Sequence, residues 1–300
     1  MKKLFQITGI LLFIALANSC TIYVQPCSDN LAPSRNLNVC GHLKDSVILY
    51  AVFVDVGIYH PFTEYDITST MDSIQKACNW IECNADFNNI PLSIKPVMHK
   101  TKNKWSFNET KVQARLDHKK VYSDKIRHAN FINCWMNNIS KYIHRGLRSK
   151  NSQKVATRNQ DQRNTEGVIA KLRNEYKTDN IALMIFVNGY YEQDFSATFN
   201  SYTSGPNVEF SLITKKNPAV IAHEFLHLFG AVDLYPTSYH AGFNFEEIVQ
   251  TYPDEIMRIQ HKEISKLSLS PITKYYIGWI DEMCKADTRL LYHKANVLGY

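Results

Sequence analysis

Residues 217–233 read NPAVIAHEFLHLFGAVD, and this run constrains the fold more than any other part of the chain. Asn217 suits a helix N-cap, Pro218 the first helical position, and Gly230 the left-handed residue that ends a helix, so the spacing predicts a helix over 218–229. Val220, Ile221, Ala222, Phe225, Leu226, Leu228 and Phe229 make that helix apolar nearly all round, the pattern of a buried element. Only His223, Glu224 and His227 break it. Burying such an arc is costly unless something compensates for it. Two histidines one turn apart stand about 40° from each other around the axis and can face one ion, while a residue next to the first stands about 100° away, beside the ion rather than on it. His223 and His227 are therefore candidate metal ligands, and Glu224 is a candidate proton acceptor.

Gly230 lets the chain turn back sharply, and Asp233, three residues further on, can then donate to the same ion. The full pattern from His223 to Asp233, HExxHxxGxxD, resembles the metzincin clan of zinc endopeptidases in its variant with an aspartate third ligand, as in the snapalysin type. The resemblance implies a bound Zn2+ held by His223, His227 and Asp233, with Glu224 as general base and acid for hydrolysis of a protein or peptide substrate. It also implies a methionine turn beneath the metal, for which Met257 in the run Tyr252-Pro253-Asp254-Glu255-Ile256-Met257 is the candidate. The tyrosine that frequently follows that methionine by two residues is replaced by Ile259, which leaves Tyr235, Tyr239 and Tyr252 as candidate phenols. A thermolysin-like scheme competes, with Glu246 or Glu247 as third ligand at a similar distance, and His240 is a further donor. An aspartate ligand brings a formal negative charge and makes zinc slightly less electrophilic than a third imidazole would.

The surrounding pattern agrees with an α/β (α+β) chain. Strands are expected at 47–56, 92–98, 180–188 and 208–214, the last alternating like an exposed edge strand. Helices are expected at 66–86, 166–176 and 271–283, the last as a closing C-terminal helix. The order matches what the resemblance implies: a mixed twisted sheet with an edge strand ahead of the active-site helix, then the Met-turn and a C-terminal helix. Residues 99–165 read as an insertion. Between Lys95 and Arg163 there are seventeen Lys and Arg against four Asp and Glu, whereas the whole chain carries only +6. The preferred reading is a solvated loop and helix, with 148–164 as a mobile loop. Aromatic interleaving is thin and no nucleic-acid motif is present, so nucleic acid is not an expected partner.

Lys2 and Lys3 precede an apolar run at 7–17 that is too short for an ordinary membrane span, followed by Ala17-Asn18-Ser19-Cys20. This resembles a bacterial lipoprotein signal. It implies a signal peptide over 1–19, lipidation at Cys20, a tether over 20–44 and a catalytic domain over 45–300, exported and anchored to a membrane or secreted. Leu16 lies one place earlier than that signal usually has it. Apart from Cys20, six cysteines remain, an even count suited to an oxidising compartment; Cys78 and Cys83 fall on opposite sides of a predicted helix, which disfavours a bridge between them. A second class of function also fits the motif: a surface binding or adhesion protein whose metal site is structural or catalytically inactive.

Overall fold

The computed structural model describes residues 40–56, 61–100, 111–117, 130–146, 163–188, 195–199, 208–237, 243–260 and 263–291. The expected signal peptide, Cys20 and most of the tether lie outside them, as do Tyr239, His240 and most of the expected mobile loop. The described residues form a mixed six-stranded sheet with seven α-helices. None of these helices is long and apolar enough to cross a membrane.

Two central strands organise everything else. Strand β1 (Asp45–Asp55) and strand β4 (Asn180–Asn188) pair in parallel over nine residues, from Val47 opposite Asn180 to Asp55 opposite Asn188. Both are near-continuous runs of buried apolar residues, as a parallel strand covered on both faces requires. Their period of two divides the side chains between two cores. Val47, Leu49, Ala51, Phe53, Ala182, Met184 and Phe186 point to one face, and Ile48, Tyr50, Val52, Val54, Ile181, Leu183, Ile185 and Val187 to the other.

Strand β2 (Leu92–Met98) runs parallel to β1 along Asp45–Ala51, and strand β3 (Lys111–Gln113) takes over along Phe53–Asp55. Beyond β4 come strand β6 (Phe210–Ile213), parallel to β4, and strand β5 (Ala197–Phe199), antiparallel to β6. The order is therefore β2-β1-β4-β6-β5. This corrects the expectation that 208–214 forms the edge. Its core, β6, lies between β4 and β5 with all four residues buried, and β5 is the outer strand of the described sheet. The polar half of the alternation misled because Ser211 faces the Glu224 carbonyl and the Thr198 hydroxyl rather than water.

Helix α1 (Glu64–Phe87) covers the first face, opened by a capping box in which Thr63 Oγ1 accepts from Asp66 N–H and Asp66 Oδ2 accepts from Thr63 N–H. Helix α2 (Asn130–Gly146) and helix α3 (Arg163–Tyr176) cover the second. The described part of the insertion is thus not mainly solvated surface. Val112, Leu116, Ile132, Trp135, Met136, Ile139 and Ile143 build the second core together with Val168, Ile169 and Leu172 of α3. The helical spacing of 132, 135, 136, 139 and 143 is that of a single buried stripe.

Helix α4 (Pro218–His227) packs against α1 and the first face. It is followed by helix α5 (Phe245–Thr251), a short 3-10 turn (Ile264–Lys266), helix α6 (Pro271–Tyr276) and helix α7 (Lys285–Leu291). The closing helix expected over 271–283 stops early, at Tyr276. Gly278 adopts φ +79°, and a Cβ there would meet the His42 side chain at 2.5–2.8 Å, so only glycine permits the approach. Trp279 then donates its indole N–H to the Leu43 carbonyl, fixing the chain in a new direction.

Candidate metal centre

Helix α4 begins as its sequence requires. Asn217 Oδ1 accepts from Val220 N–H at 2.8 Å, and Pro218 takes the first helical position, where a missing N–H costs nothing. Residues Ala219 to Leu226 are all buried, and the polar arc meets its partners at the far end of the helix. Gly230 has φ +97°, which brings the chain round so that Asp233 faces the two histidines.

The three candidate donor atoms converge. His223 Nε2 and His227 Nε2 are 3.1 Å apart, and Asp233 Oδ1 lies 3.1 Å from His227 Nε2 and 3.3 Å from His223 Nε2. A tetrahedral ion with bonds of about 2.0–2.2 Å holds its ligand atoms about 3.3–3.6 Å apart, so this triangle fits such an ion to within about half an ångström. The His223–His227–Asp233 cluster can hold a metal ion.

Backbone acceptors fix both imidazoles. His223 Nδ1 is 3.0 Å from the Ile256 carbonyl oxygen and His227 Nδ1 is 2.7 Å from that of Ala231. A carbonyl can only accept, so each Nδ1 carries the proton, and in the neutral ring each Nε2 presents a lone pair to the centre. Two lone pairs and a carboxylate oxygen face one another and call for a shared cation. Without one, a proton substitutes. Burial pulls His227 down, but the Asp233 carboxylate, its hydrogen bond, and the charge of Glu224 outweigh burial and push the imidazole up to about 9. Burial alone would raise Asp233; the facing His227 charge and hydrogen bonds from both imidazoles instead hold it well below the ordinary carboxylate range.

Glu224 is buried beside the triangle. Its Oε2 accepts from Thr198 Oγ1 at 2.9 Å, and its backbone carbonyl accepts from Ser211 Oγ at 3.0 Å. Neither hydroxyl carries a signal in the sequence, because only the β5–β6 register, with Thr198 opposite Ser211, places them under α4.

The Met257 turn reaches the centre through its backbone. Ile256 supplies the acceptor for His223, and the Met257 carbonyl accepts from Leu234 N–H at 2.9 Å, next to Asp233. The Met257 side chain is fully buried in the first core. Glu255, also fully buried, braces the turn: its carboxylate accepts from Met257 N–H at 3.3 Å, Thr273 Oγ1 at 2.8 Å and Ser270 N–H.

The competing carboxylates among the described residues go elsewhere. Glu247 lies exposed in the first turn of α5, where its N–H and carboxylate both bond Asn244, and Glu246 is exposed beside it. Of the phenols, Tyr252 donates its O–H to Asp287, whereas the Tyr235 ring lies 6.4 Å from that of His223 at an angle of 21°. The described cysteines Cys40, Cys78, Cys83, Cys134 and Cys284 are all free thiols.

The fold and site together define a mixed α/β protein that carries a metal-capable His–His–Asp cluster with a buried glutamate at its side. Compared with known proteins, the chain matches no family model and no curated sequence.

Proposed function

We propose that the protein is a zinc-dependent endopeptidase of the metzincin type, with His223, His227 and Asp233 as the ligands of Zn2+ and Glu224 as the general base and acid. The observation that carries this reading is the triangle of two Nε2 lone pairs and one carboxylate oxygen, with both imidazole tautomers locked from behind. Among the described residues three protein donors converge, which suits a catalytic ion that keeps a position open better than a closed structural one. The antiparallel strand β5 ahead of α4, and the turn at Met257 hydrogen-bonded to the ligand segment, support the resemblance.

Zinc bound here would supply a Lewis acid that polarises a peptide carbonyl and brings its water toward ionisation near neutral pH. The chain's own residues do the rest. Glu224, on the same helix as the two histidines and one residue from His223, accepts the proton of the attacking water and delivers it to the leaving amine. Asp233 lends the centre negative charge, and of the two described candidate phenols Tyr235, whose ring lies beside that of His223, is the one assigned to steady charge developing on the substrate oxygen.

The test is zinc content and casein cleavage for the wild type and Glu224→Ala. Retained zinc with cleavage lost in the variant is the expected result. A wild type that binds zinc but cleaves nothing in a broad peptide library would instead favour a surface binding protein on the same scaffold. Zinc retention in Asp233→Ala against Glu247→Ala separates the two ligand schemes, with loss expected only in the first.

Export with a lipid anchor at Cys20 belongs to the same proposal, supported by the basic and apolar N-terminal run that ends at that cysteine. Membrane fractionation of the wild type and Cys20→Ala tests it, with release of the variant expected.

A further inference from the structure

We propose that Thr198, backed by Ser211, is the positioning residue of Glu224, holding one oxygen of its carboxylate so that the other is presented to the reacting water. This rests on the peptidase reading and deepens it.

The two hydroxyls lie opposite each other on β5 and β6 with their oxygens 2.7 Å apart. Thr198 Oγ1 is 2.9 Å from Glu224 Oε2 and 2.8 Å from the Glu224 carbonyl oxygen, while Ser211 Oγ is 3.0 Å from that same carbonyl. Two side chains from two strands therefore grip one residue of α4 at both its backbone and its carboxylate. Oε1 makes no hydrogen bond among the described residues.

Counting protons shows what the pair can do. Each hydroxyl has one proton to give. An ionised Glu224 takes the Thr198 proton at Oε2, and Ser211 donates to the carbonyl or to Thr198. A carboxylate only 4% exposed needs such a donor, since a buried charge without one is costly. Thr198 suits the task better than a serine would, because β-branching restricts its χ1 and fixes the direction of the hydroxyl. Its neighbours on β5, Ala197 and Phe199, are buried in the second core, so the strand that carries the hydroxyl is itself anchored.

The experiment uses the full zinc-loaded chain as wild type, Thr198→Val, Thr198→Ser and Ser211→Ala. Three quantities are read: zinc stoichiometry, kcat and KM on a cleaved peptide, and the affinity for acetohydroxamate, a zinc chelator whose hydroxyl needs a carboxylate acceptor. Thr198→Val is expected to keep its zinc and its KM within about twofold, lose about tenfold or more in kcat, and bind acetohydroxamate about tenfold more weakly. Thr198→Ser is expected to restore most of both losses, and Ser211→Ala to show a smaller loss of each.

Unchanged kcat and hydroxamate affinity in folded Thr198→Val would overturn the proposal, as would Thr198→Ser falling as far as Val. Should Thr198→Val fail to fold, unchanged values in Ser211→Ala together with a defective Thr198→Ser overturn it instead. A wild type that cleaves nothing sinks the peptidase reading, yet the hydroxamate comparison still decides whether Thr198 positions Glu224.

Discussion

His223 donates its Nδ1–H to the carbonyl oxygen of Ile256 at 3.0 Å, so a turn 33 residues downstream sets the direction of a candidate ligand imidazole. That turn is in turn held by Glu255, whose buried carboxylate gathers donors from Met257, Ser270 and Thr273. Glu255→Ala removes no atom from the centre, yet it is expected to weaken zinc binding about 10-fold or more, as loss of an outer-shell partner does. Competitive zinc titration of the variant against the wild type measures this, and an unchanged affinity would show that the turn holds its shape without the brace.

Gly230 is required for its backbone. At φ +97° an L side chain costs about 1–2 kcal/mol, and relief of that strain would swing Asp233 away from the histidines. Gly230→Ala should therefore lower the melting temperature and the zinc affinity together. A variant that loses stability but binds zinc normally would place the strain outside the ligand turn.

On the zinc reading, the metal competes with the proton that the Asp233 carboxylate helps His227 to hold. With the imidazole raised to about 9, apparent zinc affinity should climb about tenfold for each pH unit below that value, while Asp233, already ionised, contributes nothing to the slope. Calorimetry at pH 6.5 in buffers of different ionisation enthalpy should register at least one proton released per zinc. Proton-neutral binding at that pH would refute it.

His99 gives the metal-free protein its own pH dependence. It is fully buried, its Nδ1 lies 2.8 Å from the Tyr50 hydroxyl, and burial lowers it from 6.5 to about 4. Between those values the unfolded chain binds a proton that the folded one does not, so stability rises with pH. As pH falls from 6.5 to 4, stability on the order of 3 kcal/mol is lost. Urea denaturation in the presence of a chelator should show a shallower slope over this window in His99→Gln. An equal slope would assign the effect to other groups.

How much was legible in the sequence depended on how local the causes were. Helix α4 and its candidate ligand cluster could be read because cap, proline, apolar run and glycine all lie within 217–233. The turn before Met257 was likewise visible through Pro253-Asp254, although its link to the His–His–Asp cluster runs through carbonyl oxygens that no residue type announces. Strand β6 was taken for an edge because Ser211 looks solvent-facing until its partners on β5 and α4 are known. The closing helix was overextended because its stop depends on His42, more than two hundred residues away, packing against Gly278. Thr198 was missed for the same kind of reason: strand register, not sequence, brings it to Glu224.

The second core has a practical consequence for anyone trimming this protein. Excising 99–165 as a dispensable insertion would strip Ile48, Tyr50, Val52, Ile181, Leu183 and Ile185 of Ile132, Trp135, Met136 and Ile139, leaving a broad greasy face on the central strands. The shortened protein should aggregate rather than yield a minimal folded domain. A cut between α2 and α3 is a different matter. With both helices seated on the same face and joined through Ser140 and Thr165, the two fragments should stay together and co-purify as a nicked but intact particle.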